Sequence, residues 1–333
     1  MNRTWQFDYL KTFAIIFVII THIFYYNGVS GIPVLFPYLV DMAIPIFMIV
    51  SGYVNALSCS QNIQSGFSFY TFIKYISVRL IPIYVPYIII YLVEMVLMYF
   101  IQGRLVGLHE AIYSFLTGGW GPGSYYVPMM LQLVLCFPFF YILIKRDVIS
   151  GSTVILGIQF AYEVFVRYAA LSETVYRLIF IRYFVFVWFG MILFYYQDKM
   201  KNLFLFCCAL CGGSYIFLIA QMHYPLSIFQ YWSGTSMPTV LWAGPMVFFA
   251  IRFLKRFPGI LDKVTIKTGA STYYIFLTQM IYFQLGFGKI STSFLCNFVC
   301  AILINCALGI LFSYIFGKTI KGMLKRIRNG DMV

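Results

Sequence analysis

The stretch FDYLKTFAIIFVIITHIFYY, residues 7–26, decides how this chain is read. It is apolar and long enough to cross a bilayer, yet it holds a lysine near its start and a histidine near its end. Lys11 and His22 are eleven residues apart. At ~100° per residue that spacing is ~20° past three full turns, so a helix carries both on one face. At ~1.5 Å rise per residue they differ in depth by roughly 16 Å, about half of a bilayer core. A cation near one surface with a titratable imidazole deeper in the membrane marks an interior, functional face.

Outward from this stretch the composition says the same. Hydrophobic residues make up 62% of the chain and charged residues only 10%, far from the balance of a soluble domain. Apolar runs recur from end to end, and the ~10-residue alternation of a membrane β-barrel is absent. The expected fold is therefore all-α, a polytopic transmembrane bundle of about ten helices. They are expected near residues 7–26, 34–56, 82–101, 125–144, 151–169, 178–196, 203–221, 239–254, 270–287 and 294–316. Residues 1–317 form one membrane domain in this reading, and 318–333 a basic cytoplasmic tail. The first run holds Lys11 and His22 and no small-residue cleavage site follows it, so it is expected to stay attached rather than act as a signal peptide.

Charge orders the topology. With a cytoplasmic N-terminus and ten spans, all but Arg104, Arg167, Arg177, Arg182 and Lys289 of the 23 basic residues face inward. That excess follows the positive-inside rule and puts both termini in the cytoplasm of a cell membrane. The net charge of +13 is then mostly topology, with anionic lipid headgroups as partners and no case for nucleic acid. Of the eight cysteines, seven lie inside apolar runs and behave as small apolar residues. Cys207, Cys208 and Cys211 have no further ligands nearby, so no metal is expected.

Several polar residues interrupt the apolar runs. Asp41 opens the second span at a depth similar to that of His22, and a carboxylate paired to an imidazole makes it a usable general base. Lys11 and Arg79 lie near the inner surface, where two cations suit a phosphate-bearing ligand. The segment around Lys74 and Arg79, GFSFYTFIKYISVRLIPIY, reads as amphipathic and interfacial. Glu163 and Arg167 have the spacing of a helical ion pair, which Arg182 extends between helices. Glu94 has no partner in sequence and is expected to be protonated or bonded across helices. Gln132 and Gln279 are neutral polar groups within apolar runs. On the outer side GGWGPGSYYVP, residues 118–128, suits a shaped loop dipping toward a cavity.

These residues also carry a resemblance. FDYLKTFAIIFVIITH resembles the opening motif of the integral-membrane acyltransferase family three, which places Arg or Lys eleven positions before His. IPIFMIVSGY (44–53), SVRLIPIYVPY (77–87), GPGSYYVPMMLQ (121–132) and STYYIFLTQ (271–279) resemble its later signatures, in the expected order. The family often has a second arginine three positions before Arg79, where this chain has Ile76, leaving Lys74 beside Arg79. Its late helix often ends in His, where this chain has Gln279.

The resemblance implies His22 as the catalytic histidine, and Lys11 and Arg79 as residues for acyl-donor binding or site integrity. It implies acetyl-CoA, or another acyl-CoA, as co-substrate and a surface glycan as acceptor. The expected function is membrane O-acyl transfer, most simply O-acetylation. The donor phosphates meet the inner cations and the acceptor enters near the outer loop, past Tyr125 and Tyr126. Gln132 or Tyr126 would then steady the oxyanion. The competing class, a transporter or a flippase or exporter of glycan or lipid, fits the same composition. Against it stand the lack of a visible repeat and the order of the motifs.

Overall fold

The computed structural model describes residues 5–29, 34–62, 69–224 and 234–329. Among them are fourteen α-helices and no strand. In chain order they are α1 (Trp5–Asn27), α2 (Phe36–Leu39), α3 (Ala43–Asn62), α4 (Phe69–Gln102), α5 (Leu108–Thr117), α6 (Tyr126–Arg146) and α7 (Val148–Tyr168). There follow α8 (Glu173–Leu178), α9 (Phe184–Tyr196), α10 (Asn202–Ile216), α11 (Val240–Phe253), α12 (Ile260–Ala270), α13 (Thr272–Gln284) and α14 (Phe294–Asn329).

Seven helical stretches are long and apolar enough to cross a membrane, and two shorter apolar ones cover Phe180–Tyr196 and Met237–Phe253. With α13, of 13 residues, they fall on the ten stretches expected from the sequence. The chain is an all-α polytopic membrane bundle. Hydrocarbon enforces this architecture, because only helices and closed barrels pair every backbone group there. The outward faces agree: Leu92, Val96 and Phe100 on α4, and Leu303, Leu311 and Tyr314 on α14, are exposed. Lipid accepts such surfaces and water does not.

Contacts divide the chain into two compact units. The first holds Met1–Val18, Gly31–Gln64 and Cys136–Gly269. Its centre is the crossing of α3 with α9, where Gly52 faces the Val187 main chain and Gly190 faces that of Ile49. A methyl at either glycine would collide with backbone, so the small residues set the helix separation. The start of α1 is fastened to α12. The Tyr9 hydroxyl donates to Asp262 at 2.7 Å, and the Thr12 hydroxyl donates to the Thr265 carbonyl at 2.7 Å. Gly269 lies against the Asp8 main chain.

The same unit corrects one expectation. Glu163 and Arg167 do not pair: Arg167 is exposed, while the Tyr176 hydroxyl lies 2.9 Å from both Glu163 oxygens. Arg182 packs its guanidinium 4.1 Å over the Tyr176 ring and donates to the Thr235 hydroxyl. Arg167 keeps its charge at the periphery, where a long side chain reaches polar surroundings. Glu163 faces the interior and takes a neutral donor. The role as helix-to-helix glue is thus filled by a tyrosine.

The second unit holds Ile19–Ser30, Ser65–Leu135 and Ala270–Val333. Here α4, α13 and α14 pack on one another, and Gly309 of α14 meets the main chain at Ile275. The Tyr273 hydroxyl donates to the Ile83 carbonyl at 2.7 Å, tying α13 to α4. Asn297 donates to Asn27 at 2.9 Å, tying α14 to the end of α1.

Two helices outrun their expected lengths. The basic segment before residue 82 is no separate interfacial piece, since α4 runs unbroken from Phe69 through Pro82 and Pro86 to Gln102. Each proline removes one N–H and displaces one carbonyl. In an apolar medium, ending the helix would leave more backbone groups unpaired than that. Likewise α14 continues to Asn329, with Ile320 and Ile327 buried on one side of its basic extension.

Candidate functional site

The site is built in the second unit, around a glycine-rich turn. One face of α4 carries Tyr84, Tyr87, Tyr91 and Glu94, the spacing of a single helical stripe. The three rings surround Phe115 of α5 at centroid distances of 5.1 to 6.0 Å. The Tyr87 hydroxyl donates to the Phe115 carbonyl at 2.6 Å and the Tyr91 hydroxyl to the Ala111 carbonyl at 2.5 Å. These bonds tie α5 to α4.

It ends on Gly118 and Gly119, both in the left-handed region at φ 103° and 112°, where only glycine sits without strain. The Gly119 amide returns to the Ser114 carbonyl at 2.7 Å. Trp120 stacks on Tyr91 at 5.1 Å, and its indole N–H donates to Glu110 at 3.1 Å. Glu94 completes the turn. Its side chain is 1% exposed, and its carboxylate accepts from the main-chain amides of Trp120 and Gly121. Its Oε1 has no partner among the described residues. The carboxylate that lacked a partner in sequence is thus bonded across to a loop.

The turn closes on α13. Gly121 lies flat on Met280, where a Cβ would come within 2.6 Å of the methionine main chain. Gly123, at φ 81°, comes next to the histidine. A methyl there would stand 3.5 Å from His22 Nε2 and 3.3 Å from the Phe276 ring. Phe283 lies tilted beside the same imidazole at 5.6 Å, and Tyr126 packs on Phe276 at 4.9 Å. His22 is half-buried, whereas His109 and His223, the other two histidines, are exposed. Phe276, Gln279, Met280 and Phe283 share one face of α13 within ~100° of arc. That face is the wall opposite the turn.

The other expected residues distribute as follows. Tyr125 ends the glycine turn and Tyr126 opens α6. Gln132 lies one wall away, lining an apolar cavity of about 330 Å³ with Leu80, Ile81, Tyr84, Val85 and Leu135. Arg79, on the α4 turn before that cavity, packs 5.9 Å over the Tyr75 ring, and Lys74 lies earlier on the same helix. Gln279 is 0% exposed. Lys11 and Asp41 belong to the first unit. Lys11 forms a 2.9 Å ion pair with the buried Asp8, and Asp41 is half-buried in the turn before α3 with Gly234 against its main chain.

A half-buried imidazole beside a glycine turn, with a buried carboxylate holding that turn, is the arrangement of a candidate acid–base site in a membrane protein. Comparison with known proteins makes that class specific. A family model described as an acyltransferase domain, that of acyltransferase family three, matches residues 5–317. The chain belongs to this family and is a membrane acyltransferase. No curated protein matches it, and no solved structure does.

Sequence reasoning singled out His22, which the structure places beside the glycine turn, and missed the turn's support. Glu94 acts on main-chain amides, which leave no side-chain signature. The stripe 84, 87, 91, 94 ahead of a glycine cluster was the available signal.

Proposed function

We propose that the protein moves an acyl group, acetyl in the simplest case, from cytosolic acyl-CoA to a hydroxyl of an extracytoplasmic glycan. It would do so in a cell membrane, with both termini cytoplasmic. The observation that carries this reading is His22, an imidazole inside a span whose Nε2 faces the glycine turn in the family-matched region. As general base, His22 takes the acceptor's proton while its oxygen attacks the thioester carbonyl. Tyr125 and Tyr126 line the acceptor's approach. Arg79, with Lys74, meets the phosphates of the donor. Lys11 has Asp8 as its ion-pair partner and contributes mainly to holding α1.

Membranes carrying the protein, incubated with radiolabelled acetyl-CoA and total cell glycan, test this reading. Label is expected in glycan, released by mild alkali as an ester should be. Label confined to lipid or protein, or its absence, would contradict the acceptor or the donor respectively.

A further inference from the structure

The turn beside His22 has the look of an oxyanion hole, but most of its amides are already used. Gly119 N–H goes to the Ser114 carbonyl, Trp120 and Gly121 N–H to Glu94, and Ser124 and Tyr126 N–H to the carbonyls of Gly121 and Gly123. Pro122 has none. An acyl transfer that passes through a tetrahedral intermediate needs a donor aimed at the new negative oxygen. The Gly123 and Tyr125 amides have no acceptor among the described residues, and a side-chain amide on the facing wall supplies a further donor.

Gln279 is that side chain. It is 0% exposed, and neither Nε2 nor Oε1 has a hydrogen-bond partner among the described residues. It lies on α13 between Phe276 and Phe283, the two rings that flank Gly123 and His22. The other fully buried glutamine among the described residues shows what such an amide normally does. Gln159 donates to the Arg182 carbonyl and accepts from the Val185 amide, both at 2.7 Å. A buried carboxamide with both ends idle is costly to the fold and is kept where a ligand uses it. Gln132 and Tyr126, the donors expected from sequence, fit less well. Gln132 faces the apolar cavity, and Tyr126 packs its ring on Phe276.

We infer that the Gln279 carboxamide donates from Nε2 to the carbonyl oxygen of the acyl thioester and to the oxyanion formed from it. This rests on the acyl-transfer reading above. The acceptor hydroxyl gives its proton to His22, its oxygen bonds to the carbonyl carbon, and the carbonyl π pair moves onto the oxygen held by Gln279. The pair then returns, the C–S bond breaks, and the departing thiolate takes the proton from His22. The products are an ester and a free thiol, with no other reactant consumed.

Purified wild type, His22→Gln, Gln279→Met and Gln279→Glu, assayed with labelled acetyl-CoA and isolated glycan, test the inference. Gln279→Met keeps the length and removes the amide. It is expected to lower kcat about 10²–10³-fold, the usual effect of losing one oxyanion donor. KM for acetyl-CoA should stay within about threefold, and the melting temperature should hold or rise, since an idle buried amide is gone. Gln279→Glu, which sets an acceptor against the oxyanion, should be at least as slow. Rates near wild type in Gln279→Met, or a kcat loss matched by a fall in melting temperature, would overturn the assignment and make Gln279 a packing residue. Loss of transfer in His22→Gln with a normal Gln279→Met would leave the acyl-transfer reading standing and remove only this step. A wild type that transfers nothing from acetyl-CoA would remove both.

Discussion

At the scale of single residues, the site depends on three that do not touch one another in sequence: His22, Glu94 and Gly123. Gly123 has a left-handed backbone at φ 81°, and a methyl there would touch His22 Nε2 at 3.5 Å and press on the Phe276 ring at 3.3 Å. Gly123→Ala should cost about 1–2 kcal/mol from backbone strain, and should slow transfer as the strained turn shifts beside the imidazole. A variant with wild-type kcat would show that the contact has no part in catalysis. Glu94→Ala strands the amides of Trp120 and Gly121, so unfolding should become easier by about 1–3 kcal/mol, seen as a lower melting temperature. His22 was legible from its spacing to Lys11 in a membrane span. Glu94 was visible as a buried charge but not as a loop anchor, because its partners are backbone groups. Gln279 stood out in sequence as a neutral polar group in an apolar run, a candidate substrate contact, and a departure from its family's usual histidine, and its idle amide appears only in three dimensions.

At the scale of elements, the helices were legible wherever lipid alone dictates them. The ten apolar stretches were found because about twenty apolar residues are what a bilayer requires. The long α4 was not. Lys74, Arg79, Pro82 and Pro86 look like a boundary in sequence, and only the cost of unpaired backbone in hydrocarbon carries the helix past them. The crossing of α3 and α9 is the most exacting packing in the first unit. Gly190→Val places two methyls against the Ile49 main chain. It should cost about 1–3 kcal/mol or more, since backbone cannot yield as a side chain does. Recovery of a monodisperse, fully stable protein would mean that α3 and α9 can separate without loss. At the junction of α6 and α7, Asp147 caps α7. The Ser150 hydroxyl, with the amides of Ser150 and Ile149, holds its carboxyl below the usual range. A depressed carboxyl stabilises the fold above its ordinary titration range, and the effect is lost as pH falls through the lowered one. Asp147→Asn should therefore flatten the acid limb of a melting-temperature profile, and an unchanged limb would remove the cap from the acid response.

At the scale of the whole molecule, the positive-inside asymmetry sets the topology to be tested. Position 121 is a poor place for a label, since Gly121 is pressed on Met280. His109, exposed in the first turn of α5, is a better one. In a variant lacking the eight native cysteines, His109→Cys should react with an impermeant maleimide from outside, and Asn329→Cys only after permeabilisation. The reverse pattern would invert the membrane orientation and, with it, the sides from which donor and acceptor enter.

The most direct test of the central claim is the rate of acyl transfer by His22→Gln in purified, folded protein. Glutamine keeps much of the size and hydrogen bonding of the imidazole and removes the base. General base catalysis typically contributes ~10²–10⁴-fold, so the rate from acetyl-CoA to glycan should fall by about that much, with expression and melting temperature little changed. A His22→Gln protein that inserts normally and still acylates glycan near the wild-type rate would contradict the account.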